Sequence, residues 1–148
     1  LVEALESGKV ASYVTDFPCE ELLGLPNVVC IPHLGASTPE SEDNCAVMAA
    51  EQLIDYIENG NIRNSVNYPE IQLPRTESNR IVVLHDNVPN IITQISGALA
   101  KDNVNIESLL SQAKGNNAVS IFDTNDNITD AVVADIAAIQ GVVRVLVR

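Results

Sequence analysis

Basic residues are scarce in this chain of 148 residues: 8 lysines and arginines stand against 20 aspartates and glutamates, for a formal charge of -12. A field of that sign repels phosphate backbones and anionic lipid headgroups, so neither nucleic acid nor a membrane surface is expected as a partner. Cysteine is sparse too. Cys19, Cys30 and Cys45 are an odd number with no C-x-x-C pair, which speaks against a disulfide framework and a zinc site and fits a reducing cytoplasm. No apolar run approaches the ~20 residues that span a bilayer, and no basic-then-apolar leader is present. The glycines, Gly8, Gly24, Gly35, Gly60, Gly97, Gly115 and Gly141, never fall into G-x-G-x-x-G, so the chain has no dinucleotide-phosphate turn of its own. A start at Leu1 in place of methionine suggests a piece of a longer chain.

What is present is a folded chain with 46% hydrophobic residues, enough for one ordinary core or two small ones. Leu1, Ala4 and Leu5 have helical spacing, and Gly8 is placed to end that turn. Val10 to Val14 and Val28 to Ile31 read as short buried strands of an α/β sheet, the second bracketed by Pro26 and Pro32. Thr38, Pro39 and the acids Glu40, Glu42 and Asp43 form a helix start, with an N-cap, a proline at the first position and charges matched to the helix dipole. Cys45, Ala49, Leu53 and Ile57 mark one stripe of that helix, which is expected to end near Asn59, before Gly60.

Asn61 to Ser78 is mixed and proline-bearing, so a domain boundary is expected there, between a unit 1–75 and a unit 79–148. Beyond it come a strand at Arg80 to Leu84, a helix at Asn90 to Asp102 burying Ile91, Ile95 and Leu99, and a strand at Ile106 to Ala113. The turn Lys114-Gly115-Asn116-Asn117 leads to a strand at Ala118 to Asp123. Asn127 is the expected cap of a helix carrying Ile128, Val132, Ile136 and Ile139, and Gly141 precedes a last strand at Val142 to Val147. This β-α-β-β-α-β order is the split βαβ, ferredoxin-like pattern, with a four-stranded antiparallel sheet and both helices on one face.

The string Ile31-Pro32-His33-Leu34-Gly35-Ala36-Ser37-Thr38 presents a histidine where a strand ends, before the long helix. In open α/β sheets ligands bind outside the carboxyl ends of strands, and imidazole titrates near neutral pH, so His33 is placed for proton transfer. Gly35 would let the backbone approach a flat cofactor. In isolation, a lone histidine is more often a structural residue of its loop.

Together with Asp16-Phe17-Pro18 upstream, the Pro-His-Leu-Gly-Ala-Ser-Thr string resembles the D-2-hydroxyacid dehydrogenases, in particular the branch that oxidises 3-phosphoglycerate. The resemblance implies the tail of a Rossmann-like nucleotide-binding domain with its crossover helix, and His33 as the acid/base that exchanges a proton with the substrate hydroxyl while hydride passes to NAD. It implies Glu20 as the carboxylate that orients the imidazole, with Glu21 as competitor. Asp16, His33, Gly35 and Ala36 would line the nicotinamide, although the usual Asp-Val-Phe is contracted here to Asp16-Phe17. The phosphate turn and the substrate arginine of such enzymes would precede Leu1, so this piece alone should not turn over substrate.

The stretch 79–148 resembles the ACT domain, through His85-Asp86-Asn87-Val88-Pro89-Asn90 and Val104-Asn105-Ile106. That implies an effector site for L-serine or a related amino acid at His85, Asn87 and Asn105, and a homo-oligomer formed edge to edge. Asn90 stands where the family has glycine, and asparagine tolerates left-handed dihedrals. Read from its residues alone, the loop is more readily a capping turn made by Asn87 and Pro89 than a ligand site. The combined expectation is an NAD-dependent enzyme of L-serine synthesis, producing 3-phosphohydroxypyruvate, with no metal and a feedback-sensing domain. The rivals are a stand-alone amino-acid-binding module and a dehydrogenase for another 2-hydroxy acid.

Overall fold

The computed structural model describes residues 1–148, which separate by packing into Leu1–Ala46 and Val47–Arg148. In the first unit, α1 (Val2–Glu6) precedes β1 (Tyr13–Thr15), and a single 3-10 turn (Glu20–Leu22) leads to β2 (Val28–Cys30). β1 and β2 pair in parallel, Tyr13 with Val28 and Thr15 with Cys30, as an α/β unit requires. The first strand lies further along than Val10 to Val14. The N–H of Val10 donates to the carbonyl of Ala4 instead of entering the ladder, so pairing begins only at Tyr13.

The division falls within α2, Pro39–Asn59, whose bounds agree with the sequence pattern. Thr38 caps it, its Oγ1 accepting from the Ser41 N–H at 3.2 Å. Gly60 ends it at φ +72°, its N–H donating to the Tyr56 carbonyl at 3.0 Å.

The second unit holds β3 (Asn79–Asp86), α3 (Ile91–Lys101), β4 (Ile106–Lys114), β5 (Asn117–Thr124), α4 (Asp130–Ala137) and β6 (Val142–Val147). All strand pairs are antiparallel in the order β4-β5-β3-β6, the ferredoxin-like arrangement. Strand alternation separates two apolar clusters. Ile81, Val83 and Phe122 pack with Ile91, Ile95 and Leu99 of α3 and Val132 and Ile136 of α4. On the other face Val82, Leu84, Val119 and Ile121 pack with Ile62, Ile71 and Tyr56.

That second cluster changes the reading of the segment after Gly60. Its composition suggests a linker, yet Ile62 and Ile71 are buried and bond each other's backbones in both directions, at 2.9 and 3.0 Å. Prolines and polar residues here shape a cover for the sheet. The cap of α4 differs from expectation as well: Thr129, and not Asn127, accepts from the Val132 N–H, because the helix starts at Asp130 and only Thr129 reaches its third amide.

Candidate functional site

Strand polarity builds the first candidate. β1 and β2 run parallel, so the residues just past their carboxyl ends, Asp16 and the Pro32-His33 step, emerge on the same side. His33 Nδ1 lies 2.9 Å from Asp16 Oδ2, and the Phe17 ring stands edge-on to the imidazole at 5.3 Å between centroids. The carboxylate accepts only, so in the neutral ring Nδ1 carries the proton and Nε2 presents a lone pair outward. Both side chains are open, with His33 64% and Asp16 49% exposed. Gly35 and Ala36 form the turn that follows, also exposed.

The structure thus brings Asp16 to His33, and it does not bring Glu20. Glu20 opens the 3-10 turn, is exposed, and has no side-chain hydrogen bond or ion pair. Glu21 is likewise turned to solvent. Its carboxyl is held below the usual carboxylate range, first by a backbone N–H and then by the Cys19 thiol. The family resemblance implied Glu20 as the partnering carboxylate, with Glu21 as competitor. What could have favoured Asp16 is its place one residue beyond β1, the strand parallel to the one that carries His33.

The second candidate lies where β3 gives way to α3. A cavity of about 200 Å³ is lined there by His85, Asn87, Asn90, the first turn of α3 and residues of β4 including Ser111. Asn90 adopts the left-handed conformation, φ +68°, which asparagine tolerates better than most non-glycine residues. No side chain caps α3, which leaves its first amides open toward the cavity. Asn87 donates its Nδ2 to Gly115 O at 3.0 Å and its backbone N–H to Asn116 O at 2.8 Å, pinning the β4–β5 turn and leaving Oδ1 free.

His85 and Asn105 are placed differently from Asn87. His85 is buried, and both ring nitrogens are engaged, Nδ1 with the Asp86 carbonyl and Nε2 with Ser120 Oγ, each at 2.8 Å. It lines the cavity as a wall with no free hydrogen-bonding atom. Asn105 is exposed at the start of β4, and the ladder puts that end beside Thr124 and Asn79, whereas Asn87 sits beyond the opposite end, next to Asn117. Within one chain the two asparagines are about 25 Å apart at about 3.4 Å per strand residue. Sequence reasoning missed Ser111 and Ser120, which face each other across β4 and β5 and carried no signal in the sequence beyond their hydroxyls.

No family model matches the chain. Among curated proteins it is 29% identical over 157 residues to one from Escherichia coli strain K12, covering 97% of this chain and 38% of that protein. The resemblance is to D-3-phosphoglycerate dehydrogenase. The Haemophilus influenzae protein of that name matches at 29% over 156 residues, covering 97% of this chain and 38% of its own length. D-3-phosphoglycerate dehydrogenase 1 of Saccharomyces cerevisiae matches at 30% over 147 residues, or 83% of this chain and 31% of its own. The chain therefore spans well under half the length of these relatives. Among solved structures, the ACT domain of GTP pyrophosphokinase from Chlorobium tepidum aligns with a TM-score of 0.42 and 20% identity, over 47% of this chain and 95% of that one.

Proposed function

We propose that this chain is the C-terminal part of an NAD-dependent dehydrogenase that oxidises 3-phosphoglycerate to 3-phosphohydroxypyruvate in L-serine synthesis, followed by an amino-acid-sensing ACT domain. The observation that carries the reading is the His33–Asp16 pair, formed past the carboxyl ends of two parallel strands in a chain that matches D-3-phosphoglycerate dehydrogenases over 97% of its length. Functionally, residues 1–75 would belong to the catalytic part and 79–148 to the regulatory part.

In this reading His33 is the acid/base. Asp16 holds the Nδ1 proton, so Nε2 takes the proton of the substrate hydroxyl as hydride leaves the carbon. NAD would supply the hydride acceptor, and the open surface of His33, Gly35 and Ala36 leaves room for its flat nicotinamide ring. Glu20 keeps a catalytic role in this proposal only if it approaches His33 in the complete enzyme. Three exposed free thiols suit a reducing, cytoplasmic setting. No helix is long and apolar enough to cross a membrane.

The effector reading needs two copies. β4 is an edge strand, and a second β4 laid against it about a twofold axis runs antiparallel. That operation carries Asn105 of a second copy to the end of β4 where Asn87 and the cavity lie, completing the set His85, Asn87 and Asn105 around L-serine or a related amino acid. It also covers an edge that would otherwise invite indiscriminate pairing. The effector carboxylate would meet the open amides of α3.

The catalytic part is tested in the complete protein that contains this segment, assayed with 3-phosphoglycerate and NAD. Turnover that drops about 10² to 10⁴-fold in His33→Asn is expected. Turnover of another 2-hydroxy acid in preference would select the rival substrate, and full activity in His33→Asn would overturn the acid/base role.

A further inference from the structure

A line of polar side chains crosses the helix-covered face of the sheet, where apolar residues otherwise pack. His85 Nε2 lies 2.8 Å from Ser120 Oγ, and Ser120 Oγ lies 2.8 Å from Ser111 Oγ. Ser120 and Ser111 are direct cross-strand partners of β5 and β4. Ser120 is fully buried in a strand whose residues Ala118 to Thr124 are all buried, and His85 is 2% exposed. Buried polar groups of this kind cost stability unless each is satisfied, and here each is satisfied by the next.

The chain of bonds has a fixed direction. The Asp86 carbonyl can only accept, so in the neutral ring His85 Nδ1 carries the proton and Nε2 accepts. Ser120 must then donate its one hydroxyl proton to Nε2, and its oxygen accepts the proton of Ser111. Ser111 ends the chain on the wall of the cavity beside Asn87 and the first turn of α3. With its only proton committed inward, Ser111 Oγ can offer the cavity nothing but lone pairs.

We propose that Ser111 is a specificity-determining residue of this cavity: its oxygen, polarised by the Ser120–His85 chain behind it, accepts a hydrogen bond from the ligand's ammonium group and selects amino acids over their hydroxy-acid counterparts. The proposal rests on the effector reading above. It assigns the two ends of the ligand, the carboxylate to the open amides of α3 and the ammonium to Ser111 on β4. It also gives His85 a task consistent with its burial, as a positioning residue that acts through Ser120. A hydroxyl can donate to the same oxygen, but the bond from an ammonium is charge-assisted and about twice as strong, and an acceptor-only neighbour presents it no opposing donor.

The test is calorimetric titration of L-serine and of glycerate, the same molecule with hydroxyl in place of ammonium, into the whole chain and into Ser111→Ala, Ser120→Ala, Ser111→Thr and Asn87→Ala, with folding checked by circular dichroism. Ser111→Ala and Ser120→Ala are expected to weaken serine binding by roughly 10-fold or more and to erase the preference over glycerate, while Ser111→Thr, which keeps the oxygen, retains both. Loss in Ser120→Ala is the discriminating result, since Ser120 is buried behind Ser111. Serine binding that disappears in Asn87→Ala yet survives unchanged in both alanine variants of the serines would overturn this proposal and leave the effector site standing. A folded parent chain that binds no serine would overturn both.

Discussion

Both carboxylate oxygens of Asp123 accept from the Arg80 guanidinium, at 2.6 Å from Nε and 2.8 Å from Nη2, in a place where neither residue is more than 2% exposed. The remaining donors reach backbone carbonyls: Nη1 to Asn59 and Leu73, Nη2 to Pro74. All five N–H groups are used. One side chain thus ties β3 and β5 to the end of α2 and to the segment that covers the sheet.

Removing one partner of such a pair strands a buried charge. Arg80→Met is expected to destabilise the chain by about 3 to 5 kcal/mol, and Asp123→Leu by a similar amount, with the double variant far milder than the sum. Urea denaturation of the three variants checks this. Additive losses would mean that the two charges are not coupled as their geometry requires.

Gly60 is a position where size and dihedral act together. Its φ is +72°, and a Cβ built there would stand 2.2 Å from Val82 Cγ2. Gly60→Ala should cost about 1 to 3 kcal/mol and pull α2 away from the sheet face it helps to cover. Gly115→Ala, where nothing lies within 4 Å, carries only the dihedral cost and is the control. Equal shifts in denaturation midpoint for the two would contradict the packing argument.

Lys101 of α3 bonds Asp135 of α4, and that carboxylate raises the ammonium pKa above its ordinary value, through the hydrogen bond first and the charge second. A raised folded-state pKa contributes stability that is complete below the unfolded value and lost as pH rises through the folded one. The contribution is therefore present at neutral pH and fades only on the alkaline side. Lys101→Met should flatten that alkaline decline in melting temperature, by a small amount because the pair is exposed.

Asp16, paired with His33, and Glu20, apart from it, make opposite predictions in the proposed complete dehydrogenase. Asp16→Asn should lower kcat by roughly 10 to 100-fold, since the amide no longer holds the imidazole in the tautomer that leaves Nε2 free. Glu20→Gln should do little if the present geometry persists. The reverse ranking would show that the loop around Glu20 rearranges when the rest of the enzyme is present.

Much of the fold was legible because it depends on local pattern. Period-two runs gave four strands of the second unit, and Thr38, Pro39 and Gly60 bounded α2 through backbone hydrogen-bonding needs that act within one turn. The sites were less legible because they depend on pairing. The family resemblance singled out Glu20, but the residue that reaches His33 is Asp16, which follows the neighbouring parallel strand. In the proposed effector site Asn105 would join Asn87 only across a twofold axis, a relationship between copies that spacing within one chain does not express. The burial of Ile62 and Ile71 was hidden by the polar, proline-bearing residues around them, which suggested a linker. The chain Ser111–Ser120–His85 is likewise a property of register, joining residues 35 apart in sequence.

In the proposed reading, residues 79–148 sense an amino acid at a site completed by a second copy. Calorimetric titration of L-serine into the chain, with its mass measured before and after and with glycine and L-alanine as comparisons, tests it most directly. Saturable binding by a dimer is expected, lost in both Asn87→Ala and Asn105→Ala although these residues lie at opposite ends of one sheet. A well-folded dimer that takes up none of the three, or serine binding by a monomer indifferent to Asn105→Ala, would contradict it.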